Sequence, residues 1–210
     1  IAKAAALGIE EYELYYQAAE STSVSAFQHS LNEFTSASEG GVCFRCILGG
    51  KMGYASTEEL SEASAAAIVE RAADNASVLE AEEKVFLGEG GKTYLPLERK
   101  LYDLPSTEEL IEKVLQTQEK LYGAHSAVID GTETQGIRER GTIAIYNSKG
   151  LDLQYENTIT GLVGAAVVTD GKEMANDYQI KLGKLDQIDT DAMVKEAVEG
   201  AKLKLGGEPA

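Results

Sequence analysis

The stretch EGGVCFRCILGGKMGYASTEEL, residues 39–60, decides how the chain reads. It holds Cys43 and Cys46 in a Cys-x-x-Cys, a Gly49-Gly50 pair inside an apolar run, and Ser-Thr-Glu-Glu near its end. GVCFRCIL predicts a strand, Gly49-Gly50 supplies the positive φ angles of a two-residue hairpin turn, and KMGYAS predicts the returning strand. Strand side chains alternate faces, so Val42, Phe44, Cys46 and Leu48 share one face, which reads as core. Cys43, Arg45 and Ile47 share the other. Redox Cys-x-x-Cys pairs open a helix, and zinc ribbons need a second pair of ligands. Neither condition is met, so both cysteines read as structural.

Ser56-Thr57-Glu58-Glu59 has the pattern of a capping box, with Ser56 accepting from the Glu59 amide. It predicts a helix over LSEASAAAIVERAADNA, residues 60–76, with Leu60, Ala63, Ala67 and Ile68 on one face. Upstream, IAKAAALGI reads as the end of a helix. YELYYQAAESTSVSAFQHSLNEFTSAS, rich in aromatic and β-branched residues, predicts two or three strands. Downstream, residues 80–105 carry Gly88 to Gly91, Pro96 and Pro105 and read as a connecting segment. Then Ser106-Thr107-Glu108-Glu109-Leu110 repeats the pattern of residues 56–60. It predicts a helix with Leu110, Val114, Leu115 and Leu121 toward a core. SAVIDGTETQGIRERG and residues 142–169 are strand-like, Asp170-Gly171 marks a hairpin, KEMANDYQIKLG returns, and DTDAMVKEAVEGAKLKL closes as a helix.

The order of elements therefore repeats. The expected class is α+β, with two similar units of helix, antiparallel strands with a Gly hairpin, and helix. The expected divisions are 1–79 for the first unit, 80–105 for the connection and 106–205 for the second unit. Residues 206–210 read as an outgoing linker to an absent C-terminal domain. Ile1 in place of Met and the ending KLKLGGEPA make both ends read as cut.

A formal net charge of −16 over 210 residues opposes direct binding to a phosphate backbone. Two cysteines and the lack of an apolar run of about 18 residues point to a soluble, reducing compartment without a membrane span. The two histidines, His29 in the polar turn QHSLN and His125 at a helix–strand join, have no ligand partners at metal spacing. Carboxylates run in solvated blocks such as Glu80, Glu82 and Glu83. No phosphate-binding loop or nucleophile elbow occurs. The expected sets of catalytic and metal-binding residues are therefore empty, and substrate-binding residues are unassigned.

Ser23-Val24-Ser25, Glu39-Gly40-Gly41, Arg45, Gly50, Gly53-Tyr54-Ala55-Ser56-Thr57 and Ala72-Ala73 together resemble the N-terminal region of the TldD/PmbA family. PmbA, also called TldE, carries the older description of a modulator of DNA gyrase. NSKGLDLQYENTITGLVGAAVVTDGKEMANDY, residues 147–178, is similar to the family's second strand region. The resemblance implies the non-catalytic N-terminal region of a subunit in a cytoplasmic peptide-processing metalloprotease complex, helping to shape a peptide chamber. The hairpin wording is nearer the PmbA type than the TldD type. Zinc is then expected only in the C-terminal domain of a TldD-type partner, on a His-Glu-x-x-x-His helix, with no cofactor in this chain. The expected partners are a TldD-like subunit or a second copy, and unfolded peptides such as the leader of a microcin-type precursor. The alternative is a stand-alone protein-interaction scaffold with no link to proteolysis.

Overall fold

The computed structural model describes residues 1–80, 84–91, 93–95 and 101–206. Glu82, Glu83, Pro96 and the part of the expected linker beyond 206 lie outside the described residues. The chain forms α1 (Ala2–Ala6), β1 (Glu11–Phe27), β2 (Ser30–Leu48), β3 (Lys51–Thr57) and α2 (Glu62–Val78). It continues with α3 (Thr107–Ala124), β4 (Glu133–Asn147), β5 (Asp152–Thr169), β6 (Met174–Leu182) and α4 (Thr190–Leu203). Helix, three strands and helix thus occur twice in succession. The strands order as β3-β2-β1-β4-β5-β6, so the second triple is added in the reverse sense of the first. With β2–β3 and β5–β6 antiparallel and the helices segregated from the strands, the class is α+β.

Spatially the chain resolves into two compact units that do not coincide with the halves in sequence. One comprises Ile1–Ala19, Ser38–Arg99 and Gly141–Asn157; the other comprises Glu20–Ala37, Lys100–Arg140 and Thr158–Ala210. β1, β2, β4 and β5 are 15 to 19 residues long and each contributes to both units. The divisions 1–79 and 106–205 follow element order, whereas the compact units take segments from either side of them.

In the first unit, α1 ends before Gly8 (φ +69°), and Ile9 N donates to Ala4 O at 2.9 Å. Ala4, Ile9, Phe44, Cys46, Ile68, Val69 and Ala72 form its core. Tyr12 stacks on Phe44 with ring centroids 5.8 Å apart. β2 returns through Gly49 and Gly50, both at positive φ, and β3 pairs from Leu48↔Lys51 to Val42↔Thr57. α2 then lies directly on β3, where Gly53 leaves no side chain between strand and helix.

Here the sequence expectation is corrected. Ser56 and Thr57 are paired in β3, opposite Cys43 and Val42, and do not cap α2. The N-cap is Ser61, whose hydroxyl accepts from Ser64 N at 3.1 Å. Ser56 and Thr57 each gain a ladder partner, which outweighs the local capping alternative, and Ser61 serves five residues later. Leu60 is exposed as a result, Ala63 is exposed as well, and the buried stripe is Ile68, Val69, Ala72 and Ala76.

In the second unit the same five letters do what the local pattern says. Ser106 Oγ accepts from Glu109 N at 3.1 Å and Glu109 Oε2 accepts from Ser106 N at 2.7 Å, a complete capping box. α3 buries Leu110, Val114, Thr117, Gln118 and Leu121. Leu110, Val114, Met193, Val24, Ala26 and Leu162 form the main core of this unit. A second cluster joins Leu121, Ala166, Val194, Ala197 and Val198. Asp189 caps α4 by accepting from Ala192 N at 2.9 Å.

Candidate interaction surface

Cys46 is buried in the first core, while Cys43 lies partly exposed on the opposite face, as strand alternation requires. Burial is the main cause that pushes both thiols above the usual cysteine range. Among the described residues, no group of three or more His, Cys, Asp and Glu is placed to hold a metal ion.

Beside Cys43 the outer face carries a buried polar network. The Glu13 carboxylate is almost wholly buried, with Arg45 Nη2 at 2.5 Å and Asn147 Nδ2 donating to it at 3.1 Å. Asn147 also donates to Gly88 O at 2.8 Å and accepts from the amides of Lys149 and Leu151 at 2.9 and 3.0 Å. One amide side chain therefore holds the β4–β5 turn, the buried acid and the segment around Gly88 together. With its charge paired and its amide satisfied, this network is a structural fastening rather than an acid–base pair.

His29 sits at the β1–β2 turn, where Gln28 (φ +48°) and His29 (φ +63°) both take the left-handed conformation without being glycine. Gln118 of α3 compensates. Its Oε1 accepts from His29 N at 3.1 Å, and its Nε2 donates to Ala26 O and Thr132 O at 2.5 and 3.3 Å. His29 also stacks on Tyr122 at 4.1 Å and meets Glu119 at 2.8 Å. His125 accepts from Ala127 N at 3.0 Å at the end of α3. The His125 imidazole thus shapes a turn, and that of His29 packs against α3.

In the first unit an open groove of about 600 Å³ runs past Tyr15, Gln17, Glu39, Gly41, Cys43 and Glu58. Its two carboxylates with an otherwise uncharged floor suit a polar or cationic segment.

The remaining feature is the β6 edge, which no local signal in the sequence identified. Ile129 N donates to Val167 O and Thr169 N to Ala127 O, both at 2.9 Å, so those β5 groups turn away from β6. Gly183 N donates to Thr160 O at 3.0 Å. With Val168 opposite Ala175 and Ala166 opposite Asp177, the odd-numbered residues of β6 pair with β5. Met174, Asn176, Tyr178, Ile180 and Leu182 therefore direct their N–H and C=O groups outward. These residues are exposed too: 72% for Met174, 62% for Tyr178, 54% for Ile180 and 68% for Leu182. The charged residues of the strand are occupied elsewhere, Asp177 with Lys204 at 2.8 Å and Lys181 with Glu196 at 2.6 Å. An exposed, mostly apolar edge row without a charge is of the kind that strand pairing uses.

No helix among the described residues is long and apolar enough to cross a membrane. No curated protein matches the chain. Solved structures that share the fold include the following three. A proposed modulator of a DNA gyrase from Thermotoga maritima has a TM-score of 0.84 at 19% identity, covering 100% of this chain and 47% of that one. A proposed modulator of DNA gyrase from Bacteroides thetaiotaomicron has a TM-score of 0.86 at 18% identity, covering 100% and 49%. TldE from Thermococcus kodakarensis has a TM-score of 0.82 at 18% identity, covering 92% and 44%. This chain spans about half the length of those structures. The family model for PmbA/TldA metallopeptidase domain 1 matches residues 12–76, and the model for the PmbA/TldA metallopeptidase central domain matches residues 101–205. The chain belongs to the PmbA/TldD metallopeptidase family.

Proposed function

We propose that this chain is the non-catalytic N-terminal region of a PmbA-type subunit in a cytoplasmic peptide-processing complex. It helps to wall a chamber for unfolded peptides and to hold the subunits together. The observation that carries the reading is the succession of domain 1 and central-domain matches along one chain. Relatives of about twice the length support a C-terminal region following it in the full-length protein. In this reading zinc belongs to the C-terminal domain of a TldD-type partner, and the residues described here supply shape, edges and contacts. The net charge of −16 favours neutral or cationic peptides over nucleic acid as the bound polymer.

The test is assembly. Full-length protein mixed with a TldD-type subunit is expected to co-elute as one species on size exclusion and to show no retention of duplex DNA at physiological salt. Separate elution of the two proteins, with DNA bound by this one, would overturn the reading.

A further inference from the structure

We propose that in the full-length protein the polypeptide following this chain lies along the outer edge of β6 as an added strand. This rests on the reading above that a C-terminal region follows. It adds where that region first docks and in which direction it runs.

Three observations converge on the same edge. The first is the overlap along β6: of the five residues with outward-facing backbone groups, Met174, Tyr178, Ile180 and Leu182 are also exposed and apolar, Asn176 being the polar exception. A strand added there gains main-chain hydrogen bonds and buries apolar surface along one continuous line. The second is where the chain goes. Lys204 Nζ donates to Asn176 O at 2.9 Å, and Gly206 N donates to Glu173 Oε2 at 3.4 Å. Gly206 thus lies against the residue that precedes this strand. The third is direction. α4 runs back along β6, from Glu196 beside Lys181 to Lys204 beside Asp177. Gly206 therefore lies at the Met174 end, and a strand that enters the edge from that end runs parallel to β6, with α4 as the crossover.

Spanning the nine residues of β6 takes about 30 Å of extended chain. The added strand is expected to place apolar side chains at alternate positions beside Tyr178, Ile180 and Leu182. The edge carbonyl of Asn176 already has Lys204, so the new ladder starts beyond it, at Tyr178.

Amide hydrogen exchange on the full-length protein tests this. The expected result is that the amides of Tyr178, Ile180 and Leu182 exchange at least about 100-fold more slowly than unstructured amides, at every protein concentration. In full-length Ile180→Pro, which removes an outward N–H without touching the β5–β6 ladder, Tyr178 and Leu182 should lose that protection while Ala175, Asp177, Gln179 and Lys181 keep theirs. Free exchange at Tyr178, Ile180 and Leu182 in the unsubstituted protein overturns the proposal. So does protection that disappears on dilution, which indicates a second copy, or that arises only with added partner or peptide. A gene that ends at residue 210 would instead remove the reading of the chain as an N-terminal region, and this inference with it.

Discussion

A Cβ placed on Gly53 would stand 2.0 Å from the carbonyl oxygen of Ala72 and 2.4 Å from the amide of Ala76, so β3 and α2 meet backbone to backbone. Neither neighbour is a side chain that could swing aside. Gly53→Ala is expected to lift α2 off the strand and destabilise the protein by about 3 kcal/mol, measured by denaturant unfolding. Gly49→Ala, at φ +57° in open space, should cost only about 1–2 kcal/mol, from backbone conformation alone.

The Glu13–Arg45 pair makes a second prediction. Arg45→Ala leaves the nearly buried Glu13 carboxylate with Asn147 as its remaining side-chain partner. The expected loss is about 3 kcal/mol, the low end for breaking a buried pair, because Arg45 itself is partly exposed. Arg45→Ala combined with Glu13→Gln should recover part of that loss, since the uncompensated charge is gone. Chemical denaturation of the single and double variants measures the difference.

Thiol labelling checks the face assignment in the opening hairpin. In the native protein at neutral pH, Cys43 should react slowly and Cys46 not at all, because burial raises both thiols and Cys46 is fully enclosed. Both should react at once in denaturant. Equal native reactivity would contradict the alternation of residues 42–48.

Asp177 carries a pH dependence whose sign is fixed. Its carboxyl is held below the usual carboxylate range, chiefly by the hydrogen bond from Lys204. Its stabilising contribution is then fully present above about pH 4, the unfolded value, and is lost as pH falls through the lower folded value. Thermal unfolding scans should show Tm falling below pH 4, with a shallower fall in Asp177→Asn. Asp170, held down by the amides of Glu173 and Lys172, and Asp191, held down by Lys120, act in the same direction.

Much of this fold is legible in the sequence because its signals are local. Gly49-Gly50 specifies a turn, Ser106 a helix start, and the alternation around Phe44 a core face. The identical Ser-Thr-Glu-Glu-Leu at residues 56–60 misleads because its outcome depends on β2, whose Val42 and Cys43 draw Thr57 and Ser56 into the ladder. The exchange of segments between the compact units and the open edge at β6 depend on which strands become neighbours across long separations. No local pattern encodes that. The buried acid at Glu13 was hidden for the same reason: its partners Arg45 and Asn147 lie 32 and 134 residues away. What the short motifs did carry was the family, through glycine and serine positions whose roles are structural.

The most direct measurement of the central claim is cleavage of an unstructured, fluorescently labelled peptide by the 210-residue chain alone, after treatment with a metal chelator. No product is expected, and cleavage is expected only when full-length protein and a zinc-loaded TldD-type partner are present together. Cleavage by the isolated, metal-free chain would contradict that claim.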